Sequence, residues 1–318
     1  MPSKKQQKLK NTLAIAGLFA FLAISLFSFV AFRMLSQQSL DTRSDASGFE
    51  MASGGDAPLV SCGTLSGEAQ RACERAALMA LYNSTGGPNW RSNQGWNTSA
   101  DYCTWHGIRC TNNRLYWIDL VYNNLIGILP PDLGNLNQLE NLNLMDNDLT
   151  GAIPREIGNM TNLQTLSLNH NTLSGNIPPE LSNLSRLTNL ALDHNGLSGS
   201  IPTQFGQLSN LRSIDLNNNQ LTGSIPNSIG QLVQLTNIVI YNNRLSGAIP
   251  TSFSNLTTLK TFLFAQQAGS NAICVAQPSV RNFLTTVENI NPNGDDVQPG
   301  PSVQEGLPDC ANSFKRSR

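Results

Sequence analysis

The sequence predicts an α/β solenoid, a stack of short coils closed by a cap at each end. Leucine recurs at Leu115, Leu139, Leu163, Leu187, Leu211, Leu235 and Leu259, always 24 residues apart. Asparagine, glycine and proline keep the same period in three further columns, running from Asn123 to Asn243, Gly127 to Gly247 and Pro130 to Pro250. Six cysteines lie outside this stretch, four before it and two after it. A fixed period of about 20–29 residues marks a solenoid, because one such coil cannot bury its apolar set alone.

At the N-terminus, Lys4, Lys5, Lys8 and Lys10 precede an apolar run, Leu13–Phe32, of 20 residues without charge or proline. A helix that crosses a bilayer needs about 20 such residues. A cleaved signal peptide carries an apolar region of only ~7–15, followed by a small-x-small site. The exit here reads Phe29-Val30-Ala31-Phe32-Arg33. Segment 12–33 is therefore expected to be an uncleaved transmembrane signal anchor, with a cleaved signal peptide as the alternative. The positive-inside rule then leaves residues 1–11 in the cytosol and everything after Arg33 outside. That is a single-pass type II membrane topology, or a secreted protein after cleavage. Residues 34–61, polar and without sustained period, read as a flexible linker.

Charged residues make up 13% of the chain and the net charge is −1, so there is no basic excess for a nucleic-acid partner. The even number of cysteines, clustered at both ends of the repeat, points to disulfides and an oxidising compartment. None has C-x-x-C spacing, so no cysteine metal site is expected. No G-x-S-x-G, H-E-x-x-H or phosphate-binding glycine loop is present.

The coil from Leu139 to Met160 shows the physics of the repeat, which fills residues 113–268 with about seven coils. Leu142 and Leu144 alternate as a short strand requires, and with Leu139 they point inward. Asn147 stands where the chain turns off the strand; its amide both donates and accepts, so it can satisfy backbone groups of adjoining coils. Gly151 permits a tight bend and Pro154 fixes an extended segment. Ile153, Ile157 and Met160 return to the core. The aligned asparagines are expected to form an internal ladder, so Asn147→Leu is expected to destabilise.

The consensus L-x-x-L-x-L-x-x-N-x-L-x-G-x-I-P resembles the plant-type leucine-rich-repeat family, in particular the ectodomains of receptor-like proteins. Gly151-Ala152-Ile153-Pro154 and its four equivalents down to Gly247-Ala248-Ile249-Pro250 carry the match, and Gly127-Ile128-Leu129-Pro130 departs from it. The resemblance covers Ser66 to Cys310. It implies a horseshoe whose strands line a parallel concave sheet, and recognition of a protein, peptide or saccharide, often at a cell surface. Cys103-Thr104-Trp105-His106-Gly107 resembles that family's N-terminal cap motif, which sets the cap at 62–112. Ser66 is expected to cap a helix over Ala69–Tyr82, and Trp90, Trp96 and Trp105 to fill the cap core. A second helix, Ser279–Val287, is expected in a C-terminal cap at 269–310, ahead of a short tail, 311–318. Cap logic pairs Cys62 with Cys73, Cys103 with Cys110 and Cys274 with Cys310, although six cysteines allow 15 connectivities.

The family's ligand-contact pattern maps onto residues flanking the inward leucines. Tyr116, Trp117, Tyr122, Met145, Asp146, His170, Asp193, His194, Asp215, Asn217 and Tyr241 are the candidates. Bulky, partly apolar Tyr122, Met145 and Tyr241 on an exposed face mark binding more often than chance. At ~4.8 Å per strand, seven strands span roughly 30 Å, the size of a short peptide, loop or oligosaccharide. His170 and His194, near Asp146 and Asp193, are metal-ligand types, but are read as exposed histidines of one column, with no metal. Asp193 and Asp215 resemble a glycosidase pair in type alone, for no cleft raises one pKa. No enzyme activity and no cofactor are expected.

Five N-glycosylation sequons start at Asn83, Asn97, Asn159, Asn183 and Asn255, and the last three fall at equivalent turns off the concave sheet. The expected function is recognition or adhesion outside the cytosol. Signalling would need a co-receptor, because residues 1–11 are short. Inhibition of secreted enzymes, as by the polygalacturonase inhibitors of this family, and a structural surface role are the alternatives.

Overall fold

The computed structural model describes residues 61–264, 273–287, 289–291 and 310. The expected anchor, nearly all of the linker, and the tail lie outside these residues. Among the described residues no helix is long and apolar enough to cross a membrane.

Helix α1, Gly67–Ser84, opens the N-terminal cap and runs two residues beyond the expected span at each end. Ser66 stands at its N-cap in extended conformation, though its side chain makes no capping bond. The stripe of Ala77, Leu78, Leu81 and Tyr82 is buried, as are Trp90, Trp96 and Trp105. The rings interlock: Tyr82 meets Trp90 edge-on at 5.2 Å, Trp90 meets Trp96 at 4.9 Å, and Trp96 meets Trp105 at 4.8 Å. Edge and offset contacts suit the ring quadrupoles. Glu74 is buried but bonded, accepting from Tyr102 Oη at 2.5 Å and Gln70 Nε2 at 2.8 Å. All three expected disulfides form, Cys62–Cys73, Cys103–Cys110 and Cys274–Cys310.

The concave sheet has nine strands rather than seven. Seven come from the coils. The extra two are Ile108–Thr111, which pairs antiparallel with Arg114–Asp119, and Asn289–Asn291 beyond the last coil. Asn112 and Asn113 turn the antiparallel hairpin, both at positive φ (50° and 61°), the conformation that two-residue hairpin turns favour. From Arg114–Asp119 onward every pairing is parallel, and the seven coil strands keep a 24-residue register, so Ile118, Leu142, Leu166, Leu190, Ile214, Ile238 and Phe262 align in one buried row; the final strand pairs with an offset of 28.

Each coil then descends through a second ladder, which period-two alternation did not reveal. Ile126–Ile128, Asp148–Gly151, Thr172–Asn176 and Gly196–Ser198 form a four-stranded parallel sheet, with shorter pairings in later coils. The column prolines hold the chain extended, as at Pro154 (φ −62°, ψ 135°), and a 3-10 turn follows, such as Arg155–Asn159. That turn buries one large side chain per coil: Leu133, Ile157, Leu181, Phe205, Ile229 and Phe253. Burying each contributes roughly 1.5–3 kcal/mol.

The asparagine ladder is as the repeat implies. Asn147 Oδ1 accepts from the backbone N–H of Asn123 and Leu125 in the preceding coil, both at 3.0 Å. Its Nδ2 donates to Leu120 O at 2.9 Å, Leu144 O at 3.0 Å and Met145 O at 3.1 Å. Asn171, Asn195, Asn219 and Asn243 repeat the pattern, except that each Oδ1 accepts a single N–H, from Leu149, Leu173, Leu197 and Leu221 in turn. Polar backbone turned into the core is thus paired at every coil, which removes the cost of burying it. At the far end, helix α2, Pro278–Leu284, is shorter than the expected Ser279–Val287 span and starts one residue earlier; it buries Val280 and Leu284.

Candidate functional site

The concave face carries the candidate side chains in columns spaced one coil apart. The column of Tyr122, Asp146, His170, His194, Asn218 and Asn242 has left-handed backbone throughout, φ 50–54°. There the chain leaves the strand to present the ladder asparagine next in sequence. The neighbouring column is half-buried at Val121, Met145, Asn169 and Tyr241. Asp193 and Asn217 of the same column, expected on the surface, are buried (6% and 4% exposed), beside His194 and Asn218, whose side chains contact theirs.

At the N-terminal end of the face lies a cluster of aromatic and cationic groups. Tyr122 is 62% exposed, and the Arg91 guanidinium lies 3.9 Å over its ring. Trp117 is half-buried, edge-on to Tyr116 at 6.5 Å and beneath Arg109 at 5.1 Å. Such cation–π contacts fix the rings while leaving one face free. Sequence reasoning missed Arg91 and Arg109, since both belong to the cap and neither falls in a repeat column. Met145 and Tyr241 are half-buried and lie in a single column with Asp193 and Asn217.

The middle of the face is a polar network. The rings of His170 and His194 stack at 4.1 Å, tilted by 11°. His194 Nδ1 lies 2.9 Å from Asp193 Oδ2, and His170 Nε2 lies 3.6 Å from the same oxygen. His170 Nδ1 is 3.7 Å from Asp146 Oδ1. Asn218 Nδ2 lies 3.0 Å from His194 Nε2, and Asn242 Nδ2 donates on to Asn218 Oδ1. Below it, Asp215 accepts from the backbone N–H of Asn217 at 3.2 Å and its Nδ2 at 2.5 Å. Contrary to the sequence expectation that nothing raises either carboxyl of the Asp193 and Asp215 pair, burial, reinforced by the charge of Asp193, pushes the Asp215 carboxyl up to about 6. Tyr116 and Trp117 stand apart from this network, toward the N-terminal end of the sheet. Among the described residues, His170, Asp193 and His194 are the group whose donor atoms converge for a metal, all within 4.8 Å of one another.

The sequon asparagines Asn83, Asn97, Asn159, Asn183 and Asn255 are all exposed. The last three end the 3-10 turns of their coils.

A parallel concave sheet, a 24-residue period and cysteine-closed caps define a leucine-rich-repeat protein, and the chain belongs to that family. Residues 72–111 match the leucine rich repeat N-terminal domain. Residues 114–136, 138–160, 162–184 and 185–245 match the leucine rich repeat itself, so the matches run almost unbroken over more than half the chain. The receptor-like kinase TMK4 of Arabidopsis thaliana is 31% identical over 69 residues, which are 22% of this chain and 7% of that one. The ectodomain of the Arabidopsis receptor kinase HAESA, solved with an N-terminally extended IDA peptide hormone ligand, superposes with a TM-score of 0.62 at 29% identity. It covers 70% of this chain, and this chain covers 37% of it. A plant ice-binding protein superposes with a TM-score of 0.61 at 28% identity, covering 70% of this chain and 71% of its own.

Proposed function

We propose that the chain is a recognition module outside the cytosol that binds a protein, peptide or saccharide on its concave face. The observation that carries this reading is Tyr122, a large ring left 62% exposed at the head of the richest column and held by Arg91. Pre-positioned aromatic and arginine groups on an exposed face are the usual anchors of an interface. A short peptide in extended form suits a face of roughly 30 Å, and the peptide-bound HAESA ectodomain supports that class of ligand. The three disulfides support an oxidising compartment. In this reading segment 12–33 anchors the chain in a type II orientation. Glycans on Asn159, Asn183 and Asn255 stand away from the concave sheet and leave the binding face clear.

The test is affinity capture from native extracellular material with residues 61–318, beside a Tyr122→Glu, His170→Glu, Tyr241→Glu triple variant. A species retained by the first and lost from the folded second supports concave-face recognition. Equal retention by both moves the site elsewhere.

A second reading is favoured by the opposite ladder. Thr150, Ser174, Ser198, Thr222 and Ser246 occupy one outward position in successive coils, and the threonine hydroxyls are fixed on preceding-coil carbonyls, Thr150 on Gly127 O at 3.1 Å and Thr222 on Gly199 O at 3.2 Å. A row of hydroxyls, two of them held by hydrogen bonds, suits ordered water, and an ice-binding protein is among the structural neighbours. Inhibition of ice recrystallisation that is lost in Thr150→Lys and Thr222→Lys would favour this reading over the first; no inhibition removes it.

A further inference from the structure

We infer that His170, Asp193 and His194 form a binding site for one divalent transition-metal ion of the zinc class. The inference is independent of what partner the concave face takes.

The geometry is convergent. Two imidazoles from adjacent coils stack face to face at 4.1 Å and turn one nitrogen each toward a single oxygen, Asp193 Oδ2. The distances from that oxygen are 2.9 Å to His194 Nδ1 and 3.6 Å to His170 Nε2. Zinc holds nitrogen and oxygen ligands at ~2.0–2.2 Å in a tetrahedron, which separates the ligand atoms by about 3.3–3.5 Å. The two separations from Asp193 Oδ2 bracket that value, and all three donor atoms lie within 4.8 Å of one another, so a small convergence of the side chains closes the site. Imidazole with one carboxylate suits zinc, copper and nickel rather than magnesium or calcium.

The surroundings match a metal site beyond its direct ligands. The Asp193 side chain is 9% exposed and so held in place, while His170 and His194 keep 45% and 43% exposure. The ion would therefore keep an open position toward the concave face, where water or a carboxylate of a bound partner completes its coordination. Asp146 Oδ1 stands 3.7 Å from the other nitrogen of His170, the arrangement in which a carboxylate orients a ligating imidazole. Asn218 stands 3.0 Å from the remaining nitrogen of His194. A half-turn of its amide presents the oxygen to that N–H once Nδ1 binds the ion, with the Asn242 amide turning as well so that its oxygen accepts from Asn218.

The chain contains only three histidines, so the third, His106 in the N-terminal cap, is a built-in control. Equivalent positions in later coils carry Asn218 and Asn242 in the same left-handed conformation, φ 51° in both. Asparagine is therefore the substitution that preserves the fold.

The experiment is equilibrium dialysis of the untagged full chain in detergent against Zn²⁺, with bound metal quantified by mass spectrometry. His170→Asn, His194→Asn, Asp146→Asn and His106→Asn are run in parallel. One ion per chain is expected, with binding weakened more than ~10-fold in the His170 and His194 variants, ~10-fold in the Asp146 variant, and unchanged in the His106 variant. Bound Cu²⁺ should show electron-spin coupling to two imidazole nitrogens, falling to one in either variant. Failure to bind Zn²⁺ stoichiometrically, binding by the His170 or His194 variant as tight as that of the unaltered chain, or loss with His106→Asn overturns the proposal.

Discussion

Ser92 and Asn123 are bonded twice: the Ser92 amide donates to Asn123 Oδ1 at 2.7 Å, and Asn123 Nδ2 donates to Ser92 O at 3.0 Å. The first rung of the asparagine ladder is thus completed by the cap rather than by another coil. Arg91 adds a third bond, its N–H donating to Asn123 O at 3.0 Å. Asn123→Ala leaves the Ser92 groups without these partners, a cost of ~1–3 kcal/mol. The urea midpoint should fall accordingly, and the Ser92 amide should exchange with solvent far faster. An unchanged midpoint and slow exchange at Ser92 would sink the role given to Asn123.

Gly127 has φ 135°, and a Cβ there would lie 2.0 Å from the backbone oxygen of Ser84, at the end of α1. Gly151, one coil later, has φ 75°, and its nearest neighbour would be the movable Ile128 side chain at 3.1 Å. Gly127→Ala should therefore cost more than about 3 kcal/mol, and Gly151→Ala about 1. Thermal melts of the two variants read the difference directly. Equal losses would show that helix α1 can shift away from the first coil.

Asp215 gives the fold a pH dependence of definite sign. Burial, then the Asp193 charge, raises its carboxyl to about 6 in the folded chain, against an ordinary value of about 3.9. The folded state thus favours the protonated acid. Its stabilising contribution is complete below about pH 3.9 and is lost as the pH rises through about 6. Asp215→Asn, neutral throughout, should stabilise by about 1–3 kcal/mol at pH 7 and flatten that part of the decline between about pH 4 and 6. Urea midpoints at pH 4 and pH 7 for both proteins check it; parallel slopes would remove Asp215 as the cause.

The period made the stack, the ladder and the inward rows legible in the sequence, because each demands one residue type at one place in every coil. Local cap logic similarly paired the cysteines. What escaped notice depends on contacts that alternation does not describe. Counting outward from Leu192 and Leu216 puts Asp193 and Asn217 on the surface, but there the side chains of His194 and Asn218 bond to them and they are buried. The second ladder escaped because Ile126–Ile128 and its equivalents bury little along their length. The stacking of His170 on His194 follows from placing two like residues 24 apart, yet their convergence on Asp193 depends on side-chain directions that the spacing does not fix.

The ladder also has a direction. Asn147 reaches back to Leu120, Asn123 and Leu125, and Asn171 reaches back to Leu144 and Leu149. Every coil is finished by the one that follows it, and the first is moored to a cap made earlier. A ribosome delivers the chain in that same order, at about 5–20 residues per second. A nascent coil therefore waits only a few seconds for the asparagine that locks it. Assembly can keep pace with synthesis, with a single unsatisfied turn at the growing end.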